Sequence, residues 1–357
     1  MKRATDVTAA AEHHGNPDGL EARSPFPFIV ARGRSGTTLL RAMFDSHPQM
    51  AVPPESHFLV TMGRRRRWYE LGTGLAVDRF VDDLANQYGF RRWDIDAGSV
   101  RARLAESGAA TYAQAMREVF GLYAERHGKS RYAEKTPMNV IHIPYLSRVF
   151  PEARFIHLVR DGRDVALSYL DADFGVDSVG EAAIYWRRFV RKGRLDGRGL
   201  GSRYREIRYE DLLANPEAVL RSLCVFMAIP YHPAMLTYHQ QAERILETTS
   251  HREHHQRLHL PPTRGLRDWR TQMDGGSLAL FEALAGDLLD QLGYERGAGT
   301  IPRSVTIKAR GVHLEVLARR LRRRIAKGAR GLRPTRRHRS QPHPKPLTEP
   351  LATRRSS

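Results

Sequence analysis

The sequence of 357 residues contains a single cysteine, Cys224. One thiol cannot form a disulfide or a cysteine-based zinc site within one chain. Because Cys224 lies in the apolar run 220–229, we expect a buried structural thiol. A single cysteine is also compatible with a reducing compartment.

Long apolar stretches are missing as well. No run reaches the roughly 18 apolar residues of a membrane-spanning helix, so no transmembrane segment is predicted. Residues 1–23 are polar and lack the apolar segment of a secretory signal. We therefore expect a cytoplasmic protein, with peripheral contact to a membrane as an additional option.

Acidic residues are scarce beyond residue 300. Residues 301–357 hold 17 Lys and Arg but only Glu315 and Glu349, which gives +15 of the net charge of +19. The preceding 300 residues therefore carry only about +4. The basic character belongs mainly to a C-terminal appendage, which we place at residues 298–357.

The appendage also contains an apolar pattern with helical spacing. Its members are Leu314, Leu317, Leu321 and Ile325. The pattern predicts one amphipathic helix, followed after Arg333 by a disordered end rich in Pro and Arg. Two partners suit this segment, an anionic membrane surface or nucleic acid, and a solubilising tail without a partner is the alternative.

Apolar runs between turn residues predict an α/β fold for the rest of the chain. The predicted strands are 25–31, 154–160 and 204–209. The predicted helices are 38–44, 216–228, with Asn215 as its cap, and one from near Ser277 to Leu292, and residues 60–130 look largely helical. This order predicts a P-loop-like three-layer fold with a mostly parallel central sheet flanked by helices, in one domain over 25–297 after a flexible leader over 1–24.

A glycine turn between the first strand and the first helix is suited to binding an anion. It comprises Arg32, Gly33, Arg34, Ser35, Gly36, Thr37 and Thr38. Strand, turn and helix aim backbone N–H groups and the helix N-terminus at one point. The glycines permit close approach, Arg34 adds positive charge, and the hydroxyl groups can donate hydrogen bonds.

The same turn departs from the P-loop of nucleoside triphosphatases. That motif requires a lysine where Thr37 stands and a glycine where Ala31 stands. The departure disfavours ordinary ATP or GTP hydrolysis. A P-loop nucleotide or small-molecule kinase and a turn without a ligand remain alternatives.

The turn resembles the 5′-phosphosulfate loop of the PAPS-dependent sulfotransferases, in which a basic residue precedes Ser-Gly-Thr-Thr as Arg34 does here. The glutamate-using branch, which includes tyrosylprotein and bacterial sulfotransferases, is the most similar. The resemblance implies that Arg160 and Ser168, eight residues apart, hold the 3′-phosphate of the nucleotide. It also implies that Tyr209 lies near the adenine and the 3′-phosphate.

The resemblance further implies catalytic roles for residues outside the loop. Glu55, 21 residues after Arg34, corresponds to a general base, and His57 is a rival for that role. Lys135 would stabilise charge on the sulfonate and on the leaving phosphate together with Arg34. Arg264 resembles part of a segment that closes over the nucleotide.

The sequence therefore predicts an enzyme that transfers a sulfuryl group from PAPS to a hydroxyl or amine and releases PAP. PAPS is the co-substrate, and the scheme requires no metal. The acceptor class stays open among small molecules, carbohydrates, lipids and peptide tyrosines. A kinase, or a protein that binds anionic surfaces through its basic tail, is the competing hypothesis.

Overall fold

The computed structural model describes residues 24–172, 175–247, 256–261 and 267–331. Its strands are β1 (Phe26–Ala31), β2 (Met50–Ala51), β3 (Glu70–Leu71), β4 (Gly74–Leu75), β5 (Arg131–Tyr132), β6 (Glu134–Lys135), β7 (Ala153–Val159) and β8 (Tyr204–Arg208). Its α-helices are α1 (Thr37–Asp45), α2 (Leu59–Gly63), α3 (Val77–Ala85), α4 (Tyr88–Arg91), α5 (Ala97–Ser107), α6 (Tyr112–Arg126), α7 (Ile143–Val149), α8 (Gly162–Leu170), α9 (Val179–Arg198), α10 (Tyr209–Ala214), α11 (Pro216–Met227), α12 (Ala242–Glu247), α13 (Trp269–Gln272), α14 (Gly275–Gln291) and α15 (Arg303–Gly331). Within these ranges, no helix is long and apolar enough to cross a membrane.

The central sheet has the strand order β6–β1–β7–β8, and all of its pairs are parallel. In its register, Ala31 lies opposite Leu158, and Ile29 lies opposite both Lys135 and Ile156. The three predicted strands form the run β1–β7–β8, which confirms the predicted α/β fold. Strand β6 has two residues, too few to show a side-chain alternation in sequence.

Both faces of the sheet are covered, which explains why β1 is apolar at every position. Phe26, Phe28 and Val30 enter a core that they share with residues of α3, α5 and α6. Ile29 and Ala31 enter a second core with residues of α1 and α11. Alternate side chains of a strand point to opposite faces, so the sheet is the middle of three layers.

Some local predictions differ from the structure. Tyr209, predicted as a strand end, begins α10 instead. The stretch 60–130 is largely helical, as expected, but includes the antiparallel pair of β3 and β4. Asn215 occupies the N-cap position of α11 without a side-chain hydrogen bond. Asp274 caps α14, which therefore begins two residues before Ser277.

The prediction for the cysteine is confirmed, since Cys224 is buried within α11. The chain divides into two compact units, the first ending at His313 and the second beginning at Leu314. The described part of the second unit belongs to α15. The predicted boundaries at residues 24 and 297 stay predictions, and the predicted disorder after Arg333 lies outside the described residues.

Gly193 allows α9 to pack closely against its neighbours. A Cβ atom at this position would lie 2.5 Å from Val140 Cγ2 and 2.7 Å from His157 Cε1. Both neighbours are fully buried, so neither can easily move away. Gly121 in α6, in contrast, has open space around its Cβ position.

We expect Gly193→Ala to be less stable than Gly121→Ala by about 1–3 kcal/mol, because only the first overpacks the core. Both changes gain the same helix propensity, so their difference isolates the clash. Urea unfolding of the two variants measures it. Equal midpoints would show that α9 does not depend on this close approach.

Candidate active site

The turn between β1 and α1 leaves no room for a side chain at its two glycines, Gly33 and Gly36. Gly36 has a positive φ angle of 91°, and Arg34 has one of 68°. A Cβ atom on Gly36 would lie 2.4 Å from the ring of Tyr209, and one on Gly33 would lie 2.4 Å from the Tyr169 hydroxyl oxygen. The two tyrosines therefore pack directly on the backbone of the turn and fix its shape.

The N-terminus of α1 opens onto this turn. The first backbone N–H groups of a helix have no partner within the helix, and the helix dipole makes that end positive. Gly36, at the N-cap position, provides no side-chain cap, and the first turn of α1 contains no acidic residue. The hydroxyl side chains beside Gly36 are buried, namely those of Ser35, Thr37 and Thr38. This arrangement suits an anion.

Arg34 joins the turn to the second predicted anchor. Its Nε donates a hydrogen bond to Ser168 Oγ at 3.0 Å. Arg160 Nη1 donates to the carbonyl oxygen of Arg34 at 3.4 Å. The two anion-binding motifs predicted from sequence therefore lie side by side.

Positive charge accumulates where the two motifs meet. Burial lowers the pKa of Arg34; Tyr169 opposes that shift, and the charges of Arg160 and Arg267 add to it. Arg160 lies over the Tyr209 ring, 4.7 Å from its centroid, and is itself buried. Among the described residues, the buried Nε of Arg160 has no hydrogen-bond partner. A bound anion would supply the missing acceptors and offset the repulsion between the guanidinium groups.

Arg32 has a different environment from Arg34. Its guanidinium lies 4.3 Å from the ring centroid of Tyr169 and within 5.1 Å and 5.7 Å of those of Phe189 and Tyr185. It is buried beneath the turn in this aromatic cluster. The contacts indicate that it supports the turn through cation–π interactions, and its predicted contact with nucleotide stays a prediction.

A buried ion cluster that sequence reasoning missed holds the turn after β7. Arg163 pairs with Asp161 at 2.7 Å and with Glu282 of α14 at 2.8 Å. Trp269 covers Arg163, with the guanidinium carbon 3.6 Å from its ring centroid. Trp186 Nε1 donates to the carbonyl oxygen of Arg160 at 3.0 Å. These contacts fix the backbone that carries Arg160.

Glu55 contacts Lys135, its predicted partner in catalysis, and also His57, the rival candidate for the general base. Lys135 Nζ donates to Glu55 Oε1 at 2.6 Å, and His57 Nε2 lies 3.2 Å from Oε2. Burial raises the pKa of Glu55, but the charge of Lys135 and the hydrogen bonds from His57 and Lys135 outweigh it and hold that pKa well below its usual range. Glu55 is therefore a carboxylate at neutral pH.

Tyr169 links the Glu55 pair electrostatically to the turn. Burial raises the pKa of Tyr169, the charges of Arg32 and Arg34 oppose the rise, and the charge of Glu55 adds to it. Lys135 lies on β6, directly beside β1, which leads into the turn. The structure thus brings Arg34, Arg160, Ser168, Tyr209, Glu55 and Lys135 to one end of the parallel sheet.

Glu134 organises the segments that carry Glu55 and Lys135, and no sequence signal identified it. Its carboxylate accepts hydrogen bonds from Ser56 Oγ at 2.8 Å, Asn139 Nδ2 at 3.0 Å and the Thr136 backbone N–H at 3.1 Å. The Ser56 N–H also donates to Thr136 Oγ1 at 3.1 Å. Ser56 follows Glu55 in the chain, and Glu134 precedes Lys135. These bonds therefore hold the two predicted catalytic residues, Glu55 and Lys135, in position relative to each other.

One predicted residue, Arg264, lies outside the described residues. Trp269, which follows Arg264 in the chain, is described, and its backbone N–H donates to Asp164 Oδ1 at 3.0 Å.

The geometry defines a protein with a P-loop-like anion site and a nearby carboxylate–lysine pair. A comparison with protein families matches residues 25–233 to the sulfotransferase family, which is more than half of the chain. The chain therefore belongs to the sulfotransferase family.

Several characterised proteins are similar in sequence. Protein-tyrosine sulfotransferase 1 of Danio rerio is 26% identical over 225 residues, which are 61% of this chain and 56% of the relative. Nodulation protein NoeE of Sinorhizobium fredii (strain NBRC 101917 / NGR234) is 26% identical over 324 residues, or 80% and 72% of the two chains. The chain thus spans little more than half the length of the zebrafish relative.

Two solved structures share the fold. The sulfotransferase domain from the curacin biosynthetic pathway has a TM-score of 0.52 at 22% identity, covering 77% of this chain and 99% of that domain. The sulfotransferase domain from the Synechococcus PCC 7002 olefin synthase has a TM-score of 0.51 at 25% identity, covering 81% and 99%. Both support the α/β architecture described above.

Asp164 gives the site a testable pH dependence. Burial raises its pKa to about 6, against the opposing charge of Arg160, whose Nη2 lies 3.7 Å from Asp164 Oδ2. Asp161 and Glu210 add further negative charge nearby. Because the folded-state pKa is above the ordinary value, the stability contributed by protonated Asp164 is lost as pH rises from about 4 through about 6.

We expect Asp164→Asn to gain stability relative to the wild type by about 1–2 kcal/mol as pH rises from about 5 to about 7.5. Urea unfolding at the two pH values measures the difference. Asp82→Asn, whose carboxylate is exposed, should show no such trend. A pH-independent difference for Asp164→Asn would mean that Asp164 is already ionised at the lower pH.

Proposed function

We propose that this chain transfers a sulfuryl group from PAPS to an acceptor hydroxyl or amine and releases PAP. The observation that carries the proposal is the contact between the two cationic turns, in which Arg34 binds Ser168 and Arg160 binds the Arg34 carbonyl. PAPS carries phosphates on both sides of its ribose, and two adjoining anion sites suit that shape. Membership in the sulfotransferase family supports the same conclusion.

The chemistry follows from the groups around Glu55. The acceptor oxygen attacks sulfur, the bond from sulfur to the bridging phosphate oxygen breaks, and the acceptor proton passes to Glu55. Arg34 and Lys135 offset the charge that develops on the leaving oxygen. As Lys135 shares its charge with that oxygen, it stabilises the Glu55 carboxylate less, and Glu55 becomes a stronger base.

The class of acceptor molecule is also part of what we propose. Among the candidate acceptors, a peptide tyrosine has support from the names of relatives such as protein-tyrosine sulfotransferase 1. NoeE, however, aligns over a longer part of this chain than that relative does. We therefore propose a hydroxyl acceptor and treat tyrosine as its first candidate, beside carbohydrates, lipids and small molecules.

A transfer assay with sulfur-labelled PAPS and a panel of tyrosine peptides, oligosaccharides, lipids and phenols tests the proposal. We expect label to move to at least one hydroxyl compound, with formation of an equal amount of PAP. Turnover of PAPS without any labelled acceptor across the panel would count against sulfuryl transfer to these classes.

We expect Glu55→Gln to keep its affinity for PAP and to lose about 100-fold or more of the turnover rate, because the amide cannot accept the proton. Calorimetric titration with PAP and the transfer assay measure the two quantities. His57→Ala is the matched variant, and it should retain most of the turnover. The reverse pattern would identify His57 as the base, with Glu55 as the group that orients it.

We expect Arg160→Ala to weaken binding of PAP by about 10- to 100-fold, through loss of a charged hydrogen bond to the 3′-phosphate. Its affinity for 5′-AMP, which lacks that phosphate, should change little. Arg148→Ala, at an exposed arginine outside the site, is the control for lost charge. An equal loss for both nucleotides would refute the assignment of Arg160 to the 3′-phosphate.

A further inference from the structure

The second unit of the chain presents a row of large apolar side chains to solvent. Leu314, Leu317, Leu321 and Ile325 of α15 are 66%, 46%, 60% and 63% exposed. At 3.6 residues per turn, these positions fall within an arc of about 80° on one side of the helix. The row is about 17 Å long at the usual rise per residue.

Positive charge surrounds this apolar row. Residues 303–331 contain ten Lys and Arg and only one acidic residue, Glu315. Glu315 is paired with Arg319, with its Oε1 3.3 Å from Arg319 Nη2. In the helical register, the positions of Arg320 and Arg322 flank the apolar row on opposite sides, each about 60° from its edge.

We propose that α15 binds to the surface of an anionic lipid bilayer, with the row Leu314, Leu317, Leu321 and Ile325 inserted among the lipids. A helix that lies in the interface buries its apolar side at the boundary between headgroups and acyl chains. Its arginines then lie at the level of the lipid phosphates, whose negative charge attracts them. The chemistry of the helix matches both parts of such a surface.

Nucleic acid fits the same helix less well. The arginines could bind phosphates in either partner, so charge alone does not distinguish the two. A duplex would leave the four apolar side chains in water, whereas a bilayer removes them from it. The exposed leucines are therefore the feature that selects lipid as the partner.

The test uses the full chain and three probes: vesicles of phosphatidylcholine with about 30% phosphatidylserine, vesicles of phosphatidylcholine alone, and a short DNA duplex. Co-sedimentation and fluorescence anisotropy measure binding at about 0.1 M salt, where surface charges still act over roughly 10 Å. We expect binding to the anionic vesicles, much weaker binding to the neutral vesicles, and a decrease at higher salt.

The decisive variant is Leu317→Gln with Leu321→Gln, which keeps every charge. We expect it to weaken binding to anionic vesicles by at least about tenfold, because two leucines no longer insert. Leu195→Gln with Val225→Gln is the matched control, since these residues are also exposed but belong to α9 and α11. The control should bind as the wild type does.

Three results would overturn the proposal. One is failure of the wild type to bind anionic vesicles. The second is equal vesicle binding by the wild type and the leucine variant, which would reduce the interaction to charge alone. The third is an affinity for DNA above the affinity for vesicles that the leucine change leaves unaffected, which would identify nucleic acid as the partner. None of these results depends on whether the chain transfers sulfuryl groups.

Discussion

The parallel pairing of β1 with β7 is the constraint on which the site depends. It places Ala31 opposite Leu158, so the turns that follow the two strands emerge at the same edge of the sheet. Arg34 and Arg160 then meet, although they are 126 residues apart in the chain. Addition of β6 on the other side of β1 brings Lys135 to the same edge.

Much of the remaining structure serves to hold charged groups close together. Two guanidinium groups side by side repel each other, so their backbones must be fixed by other interactions. Tyr169 and Tyr209 pack on the glycines of the first turn, and the Asp161–Arg163–Glu282 cluster holds the second. Removing one member of such a buried cluster would leave an unpaired charge, which is strongly destabilising.

Sequence reasoning identified the groups whose signal is local. The glycine turn and the strands β1 and β7 followed from short motifs and apolar runs, and the pairing of Arg160 with Ser168 followed from the family resemblance. The hydrogen bond from Arg34 to Ser168 is visible only in the folded chain. Glu134 could not be found that way, because its partners Ser56, Thr136 and Asn139 meet only in the folded chain. The aromatic cluster around Arg32 was missed for the same reason, because Tyr185 and Phe189 lie on α9, which is far from Arg32 in the sequence.

The central claim is that the two cationic turns form one site for a nucleotide with phosphates on both sides of its ribose. Calorimetric titration with PAP, and separately with ATP and magnesium, tests it most directly. The account predicts that PAP binds with one site per chain and that ATP binds much more weakly. Preferential binding of ATP, with no binding of PAP, would contradict the account and favour a kinase.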